Sequence, residues 1–406
     1  MKYKIIMIFL LTTALLAGNS IFSFDGMPLE YYGNDVYGLG MGETGSADIF
    51  RINPNLHNPS IATTTNNVLF STATSLGYMW YKDSDNNEFR DDGIYMPYFT
   101  MTIPIKKHRF SFSFNSIASG NIENTIECDP FVSFGDTLQY SEINRLSTSL
   151  YKADMVYAYK SSIVNIGVAM NYYLGHRIRY WNRDFENDDY EDAKYEIEKI
   201  YKNPGFTVGL SKKISKVSLG IVYSSYVKLE GSETYKYAHT PYADTLSDDF
   251  HFEVPVQISG GITWKFLEKY KASFDGYYQI WQDTENYDKN TLKLGLGFAY
   301  DPLSGYGSWY EKIPLRIGGY YRELPFDVNN EKIIEKALTF GFSIPLKSPN
   351  KKIEFAVNYT TRGDVDKHGL SDESVMFSLG ITGFDIFKKR YKRIEHREIP
   401  KADKDR

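Results

Sequence analysis

The chain has 406 residues, 46 basic against 51 acidic side chains, and a single cysteine, Cys128. Near-balanced charge without a long basic block excludes a binder of nucleic-acid phosphates, and one thiol excludes an internal disulfide framework and a cysteine-based metal site. Beyond the N-terminus no apolar run reaches the ~18–20 residues of a membrane helix, yet 34 tyrosines and 26 phenylalanines alternate with polar residues, which leaves a soluble all-β protein or an outer-membrane barrel.

In chain order, Lys2 and Lys4 precede the apolar run "IIMIFLLTTALLAG", and the small residues Gly18, Ser20 and Ser23 follow. This is the layout of a secretory signal, assigned to residues 1–23, with cleavage after Ser20 or after Ser23. No cysteine stands nearby to carry a lipid anchor. Residues 24–66 hold a glycine-rich run, "YGLGMGETGSADIF", and then "NPNLHNPSIAT" with two Asn-Pro pairs. Proline this dense stops helices and strands, and Asn bonds its own backbone two residues on, so the segment is irregular and stiff.

Period-two alternation then predicts fourteen strands, near 68–81, 92–105, 108–120, 144–160, 162–175, 204–214, 216–230, 250–267, 270–282, 290–300, 312–323, 334–346, 351–363 and 373–387. Most reach ten residues, the ~9–11 a tilted membrane strand needs, where soluble strands average about five or six. Short turns ("KKH", "KSS", "KISK", "EKY", "KSPNK") alternate with long polar connections such as "KDSDNNEFRDD" and "HRIRYWNRDFENDDYEDAKYEIEKIYKN". "DPLSGYGSWYEK" is longer than its class. Alternating long and short loops are the habit of outer-membrane barrels, and an even strand count puts both chain ends on the periplasmic side.

The faces sharpen this. Leu292, Leu294, Leu296 and Phe298 oppose Lys293; Ile313, Leu315 and Ile317 oppose Arg316 and Arg322. Phe274, Tyr278 and Ile280 oppose Lys271, Asp275 and Gln279; Ile353, Phe355, Val357 and Tyr359 oppose Glu354, Asn358 and Arg362. A charge facing lipid at mid-depth costs ~2–4 kcal/mol, so these charges belong to the lumen. Trp80, Trp181, Trp264 and Trp281 suit an interfacial aromatic girdle. The fold class read here is all-β, a transmembrane antiparallel barrel of about fourteen strands. It occupies residues 67–387 and is followed by a basic polar tail, 388–406, on the periplasmic side.

"GLGMGETGSADIFRINPNLHNPSIA" resembles the N-terminal signature of the FadL-type outer-membrane transporters, in which a glycine-rich run leads to an Asn-Pro-Ala motif just before the barrel. Asn58-Pro59-Ser60 stands in that place, with serine for the usual alanine, and Asn53-Pro54 is an extra pair. "IPLRIGGYYRELPF", "TFGFSIPL", "FAVNYTTRGDVDKHGLSDES" and "FSLGITGFDIFKKR" are similar to the last strands of FadL-like proteins from Bacteroidota and related phyla. The resemblance covers about a third of the chain after the signal. It implies a fourteen-stranded barrel plugged by a small N-terminal hatch. It also implies passive uptake of hydrophobic molecules such as long-chain fatty acids across the outer membrane of a Gram-negative-type bacterium.

The expected hatch is 24–66, built on Asn53, Pro54, His57, Asn58, Pro59 and Ser60, with His57 as a hydrogen-bonding plug residue. The lumen charges Lys271, Asp275, Lys293, Arg316, Arg322, Glu354 and Arg362 are read first as a salt-bridged network that fixes the hatch. Arg316 or Lys293 could instead hold a ligand carboxylate. Expected partners are a hydrophobic small molecule and the lipid and lipopolysaccharide of the outer membrane, around a monomer. No cofactor, metal site or catalytic constellation is called, and Cys128 is assigned to the loop after the third strand without chemistry. Two alternatives stay open: a PorV-like accessory barrel that binds a protein partner of a secretion system, and a general polar-solute porin with a charged constriction and no hatch.

Overall fold

A computed structural model describes residues 20–23, 34–52, 54, 56–85, 87–133, 135–187, 189–237, 246–302, 309–346 and 351–383. Asn53 and the tail 388–406 lie outside the described residues.

Fourteen antiparallel strands follow one another around a closed wall. They are β1 (Leu69–Asp83), β2 (Glu88–Tyr95, continued by Tyr98–Ile105), β3 (His108–Ser133), β4 (Asp136–Tyr159) and β5 (Asn165–Phe185). Next come β6 (Ala193–Ile214), β7 (Val217–Ser224 and Val227–Tyr237), β8 (Leu246–Val254 and Gln257–Trp264) and β9 (Tyr270–Gln279). The wall ends with β10 (Thr291–Tyr300), β11 (Leu315–Val328), β12 (Glu331–Pro345), β13 (Lys352–Asp364) and β14 (Leu370–Thr382). The interruptions in β2 and β8 coincide with Pro97 and Pro255, which lack the N–H a ladder needs. β1 pairs with β2 on one side and with β14 on the other, from Ser71↔Thr382 to Asp83↔Leu370, so no edge is left open.

All fourteen strands lie where alternation placed them, and the faces fall as expected. Leu294, Leu296, Phe298, Phe274, Ile317 and Phe340 point outward as part of a broad apolar band. Lys293, Arg316, Lys271 and Asp275 point inward and are buried.

The long connections do not fall as expected. β3 has 26 residues and β5 has 21, so much of what read as loop is strand. At ~3.4 Å per residue, β3 runs roughly 88 Å, well past any hydrocarbon layer. Cross-strand pairs hold these extensions. Arg145 Nε reaches Glu123 at 2.7 Å, Arg183 reaches Glu142 at 2.6 Å, and Lys236 reaches Glu196 and Glu198 at 2.8 and 2.9 Å. Trp181 stacks on Tyr195 with ring centroids 5.5 Å apart. Glu123, Glu142, Glu196 and Glu198 of these polar stretches are thus half of a set of ion pairs whose basic half sits one strand away. Cys128 accordingly belongs to β3, not to a loop. Trp80 and Trp264 keep outward positions near strand ends, whereas Trp281 turns inward and is 1% exposed, so it is no girdle residue.

Segments 20–23, 34–52 and 56–65, with Pro54, lie inside the wall. Helix α1 (Val36–Leu39) packs on Ala73 of β1 and Ala356 of β13, and a 3-10 helix (Pro59–Thr64) packs against β3, β4, β5 and β6. Residues 20–23 sit at the other end, where Phe22 meets Leu324 of β11, Ile333 of β12 and Leu370 of β14. That end carries the β11–β12 turn and the short helix α2 (Val365–His368), and it is the end from which β3–β6 project. It is the outer end by the long-strand, long-loop convention of such barrels.

Candidate functional site

The site is the interface between the 34–65 segment and the wall. Asp35 caps α1 through Gly38 N at 3.0 Å. The same carboxylate takes a bidentate contact from Arg51, at 2.6 and 2.8 Å, and Arg51 also reaches Asp48 at 2.9 Å. Both acids and the arginine are buried, so the hatch has an ionic core of its own. Lys271 of β9 joins it at 2.7 Å from Asp48 and 3.2 Å from Asp301. The Tyr37 hydroxyl donates to Asp301 at 2.8 Å, and its ring lies 4.0 Å from the Arg51 guanidinium and 4.3 Å from that of Arg316.

Residues 41–46 press backbone to backbone on β10 and β11. Gly42 has φ +68° and donates its N–H to Thr339 Oγ1 at 2.8 Å. A Cβ there would stand 2.3 Å from the Leu296 carbonyl, so only glycine fits. Asp275 accepts the N–H groups of Gly45 and Ser46 at 2.9 and 2.8 Å. Glu43 pairs with Lys293, which is 1% exposed and lies 4.6 Å from the Tyr320 ring.

Asn58 caps the 3-10 helix. Its Oδ1 accepts from Ser60 N at 3.1 Å and from Ser60 Oγ at 2.8 Å, while Nδ2 donates to the Ser46 carbonyl at 2.7 Å and to Leu210 at 3.4 Å. Pro59 takes the first helical position, where its missing N–H costs nothing. Of the two Asn-Pro pairs, Asn58-Pro59 has this double role. Pro54 is buried beside it and Asn53 lies outside the described residues. His57 contacts Ser259 of β8 and lies 4.9 Å from the Tyr277 ring. Burial, with the Lys152 and Lys293 ammoniums nearby, pushes its imidazole down to about 3, so this hatch histidine stays neutral.

The remaining predicted charges pair within the wall. Lys293, Arg322, Glu335, Arg362 and Asp372 stand opposite one another in successive register across β10 to β14, and the row continues to Tyr81 of β1. Arg322 reaches Glu335 at 2.7 Å, Arg362 reaches Asp372 at 2.8 Å, and Arg362 also contacts Glu335. Arg316 donates to Ser343 at 2.7 Å and to the Phe355 carbonyl at 3.2 Å, with Glu354 at 3.8 Å. Lys271, Asp275 and Lys293 therefore touch the hatch through hydrogen bonds, Arg316 covers Tyr37, and Arg322, Glu354 and Arg362 brace the wall beside it. Sequence reasoning missed Asp35, Glu43, Asp48 and Arg51, although four charges in an otherwise small and apolar run were a visible signal.

The hatch is held unevenly. Its ion pairs with the wall run to Lys271 of β9 and Lys293 of β10, while toward β2–β6 it faces Thr100, Thr102, Ser111, Ser113, Asn171 and Thr207 with Lys152, and Arg109 of β3 donates to the Thr65 carbonyl. On that side lies a cavity of about 20 Å³ bounded by Pro54, Leu56, His57 and Pro59, room for one water. Above the hatch, near the outer end, the lumen turns apolar. Ala118, Leu150, Tyr173, Tyr201, Val227, Leu229 and Trp281 form one buried cluster, with Phe250, Phe252 and Tyr287 packed against it.

The sequence model of the BamG family matches residues 1–392. No curated protein matches the sequence. Among solved structures, a FadL homologue from Pseudomonas aeruginosa superposes with a TM-score of 0.61 at 13% identity, covering 89% of this chain and 100% of its own. The toluene transporter TodX of P. putida gives 0.58 at 14% identity, covering 89% and 99%. The CymD monoaromatic hydrocarbon channel gives 0.57 at 14% identity, covering 89% and 98%. At such identities the likeness is one of fold, and the FadL-type barrel is the fold of this chain.

Proposed function

This chain belongs to the BamG family, and from its barrel and occupied lumen we propose an outer-membrane channel that passes small apolar molecules by diffusion, shut at rest by the hatch. The observation that carries this reading is the apolar cluster around Trp281, Tyr201 and Tyr173, set in the lumen above a charged hatch. A general porin needs a wet, open lumen, and the burial of residues 34–48 and 57–61 inside this barrel supports a plugged one instead. An acyl chain or a monoaromatic ring matches the chemistry of the cluster, and the relatives named for toluene and monoaromatic hydrocarbons share the fold. Passage past the hatch would follow the side between His57 and β2–β6, where, among the described residues, no ion pair joins the hatch to the wall. The test is flux of a fluorescent fatty acid and of toluene into proteoliposomes. Flux equal to that of protein-free vesicles, in wild type and in a hatch-loosened variant alike, refutes the channel.

A second reading is favoured by one observation: the ion-paired sheet of β3–β6 projects past the membrane and exposes Ile126, Phe131 and Val132 at its tip. That rigid wall suits a protein partner, with the lumen only structural. Co-purification of a stable complex, together with absent flux, would favour this accessory role.

A further inference from the structure

We infer that the chain is cut between Ser20 and Ile21, and that the new α-ammonium of Ile21 pairs with Asp372 at the outer end of the lumen. The proposal does not rest on the channel reading.

Three observations lead there. First, Ile21, Phe22 and Ser23 are built into the barrel. Phe22 is 8% exposed, packs on Leu324 and Ile333, and meets the His368 ring edge-on at 6.3 Å. Gly363 (φ +70°) makes room for it, since a Cβ there would come within 2.4 Å of the Phe22 ring. A cut after Ser23 would discard this whole contact. Second, Ser20 Oγ bonds Asp372 and also accepts from Phe22 N at 3.3 Å. Third, peptidases of this class ask for small residues at the first and third positions before the cut. Gly18 and Ser20 meet that demand for the Ser20–Ile21 bond; for the Ser23–Phe24 bond the third position is Ile21, which does not.

Hydrolysis of the Ser20–Ile21 amide consumes one water and leaves the Ser20 carboxylate on the leader and an amine on Ile21, protonated in neutral water. Four covalent bonds separate the Ile21 nitrogen from Ser20 Oγ, so the amine starts within about 4–5 Å of the atom that touches Asp372. Asp372 also takes Arg362 at 2.8 Å, which makes it the end of the charged row across β10–β14 and the natural seat for one more cation.

The experiment has two arms. Intact mass and N-terminal sequencing of the protein extracted from outer membranes should begin at Ile21, and Ser20→Leu should leave uncut precursor. A start at Phe24, or an uncut chain in the outer membrane, overturns the cleavage. For the pair, folded barrels are treated with an acetylating reagent and the α-amine is followed by mass spectrometry, with lysine peptides as internal reference. The Asp372→Asn amine should acetylate at least tenfold faster than the wild-type and Asp372→Glu amines. Equal rates in wild type and Asp372→Asn overturn the pairing, and if Asp372→Asn does not fold, Asp372→Glu at a rate tenfold above wild type overturns it as well.

Discussion

Replacing Lys293 by methionine should loosen the hatch more than any neutral change of similar volume. Lys293 is buried and pairs with Glu43, whose side chain is 10% exposed. Lys293→Met leaves that carboxylate in the lumen without its main counter-ion, and orphaning one member of a buried pair costs ~3–5 kcal/mol. At ~1.4 kcal/mol per decade, the hatch-open population rises by roughly 10²–10³-fold or more. Removing both charges, in Glu43→Gln with Lys293→Met, leaves neither member of this pair as an unpaired ion and should restore most of the seal. Planar-bilayer recording reads this directly, as rare openings in wild type, frequent openings in the single variant and few in the double. If Lys293→Met is as quiet as wild type, or the double variant as leaky as the single one, the pair does not hold the hatch.

Three further outcomes follow from the same geometry. Asn58→Ala removes the helix cap and the bond to the buried Ser46 carbonyl, about 2–4 kcal/mol together, and should raise proteolytic nicking of the hatch while the heat-modifiable barrel band persists. Gly42→Ala must move residues 41–44 away from β10 and β11, so hydrogen exchange at the N–H of Gly45 and Ser46 should speed up by tenfold or more. Leu338→Arg places a charge in the middle of the lipid face of β12 at ~2–4 kcal/mol and should lower the urea midpoint of the barrel in vesicles, whereas Thr339→Ser, one residue on and facing inward, should leave it in place.

The wall was legible because a membrane barrel imposes one rule on every strand: aliphatic residues toward lipid and everything else inward. Lys293 between Leu292 and Leu294 obeys it by itself, with no knowledge of its partner. Beyond the lipid the rule lapses. Arg145 and Glu123, or Lys236 and Glu196, are adjacent in space but 22 and 40 positions apart in the chain, so Glu123, Glu196 and Lys236 read as charged loop and Arg145, inside the expected strand 144–160, had no visible partner. Asn58-Pro59 was legible because a cap and a first-turn proline are local chemistry. The hatch charges were not, since Arg51 acquires its meaning only when α1 folds back to bring Asp35 beside it. Trp281 was misassigned for a similar reason: it stands at a strand end, but Ile280 already leaves the ladder and a 3-10 turn swings the indole inward.

The row of charges across β10–β14 also bears on how the barrel assembles. Slipping a strand by one residue sends its lumen face to the lipid. β9 carries Lys271 and Asp275, β11 carries Arg316 and Arg322, and β13 carries Glu354 and Arg362, so a slip of any of these exposes two charges at once. At ~2–4 kcal/mol apiece that is about 4–8 kcal/mol, a large share of the 5–15 kcal/mol that separates a typical folded domain from its unfolded chain. Every second strand of this arc thus carries its own ruler. A nascent wall can test its alignment strand by strand, by which side of the sheet its ions face, before β14 returns to meet β1.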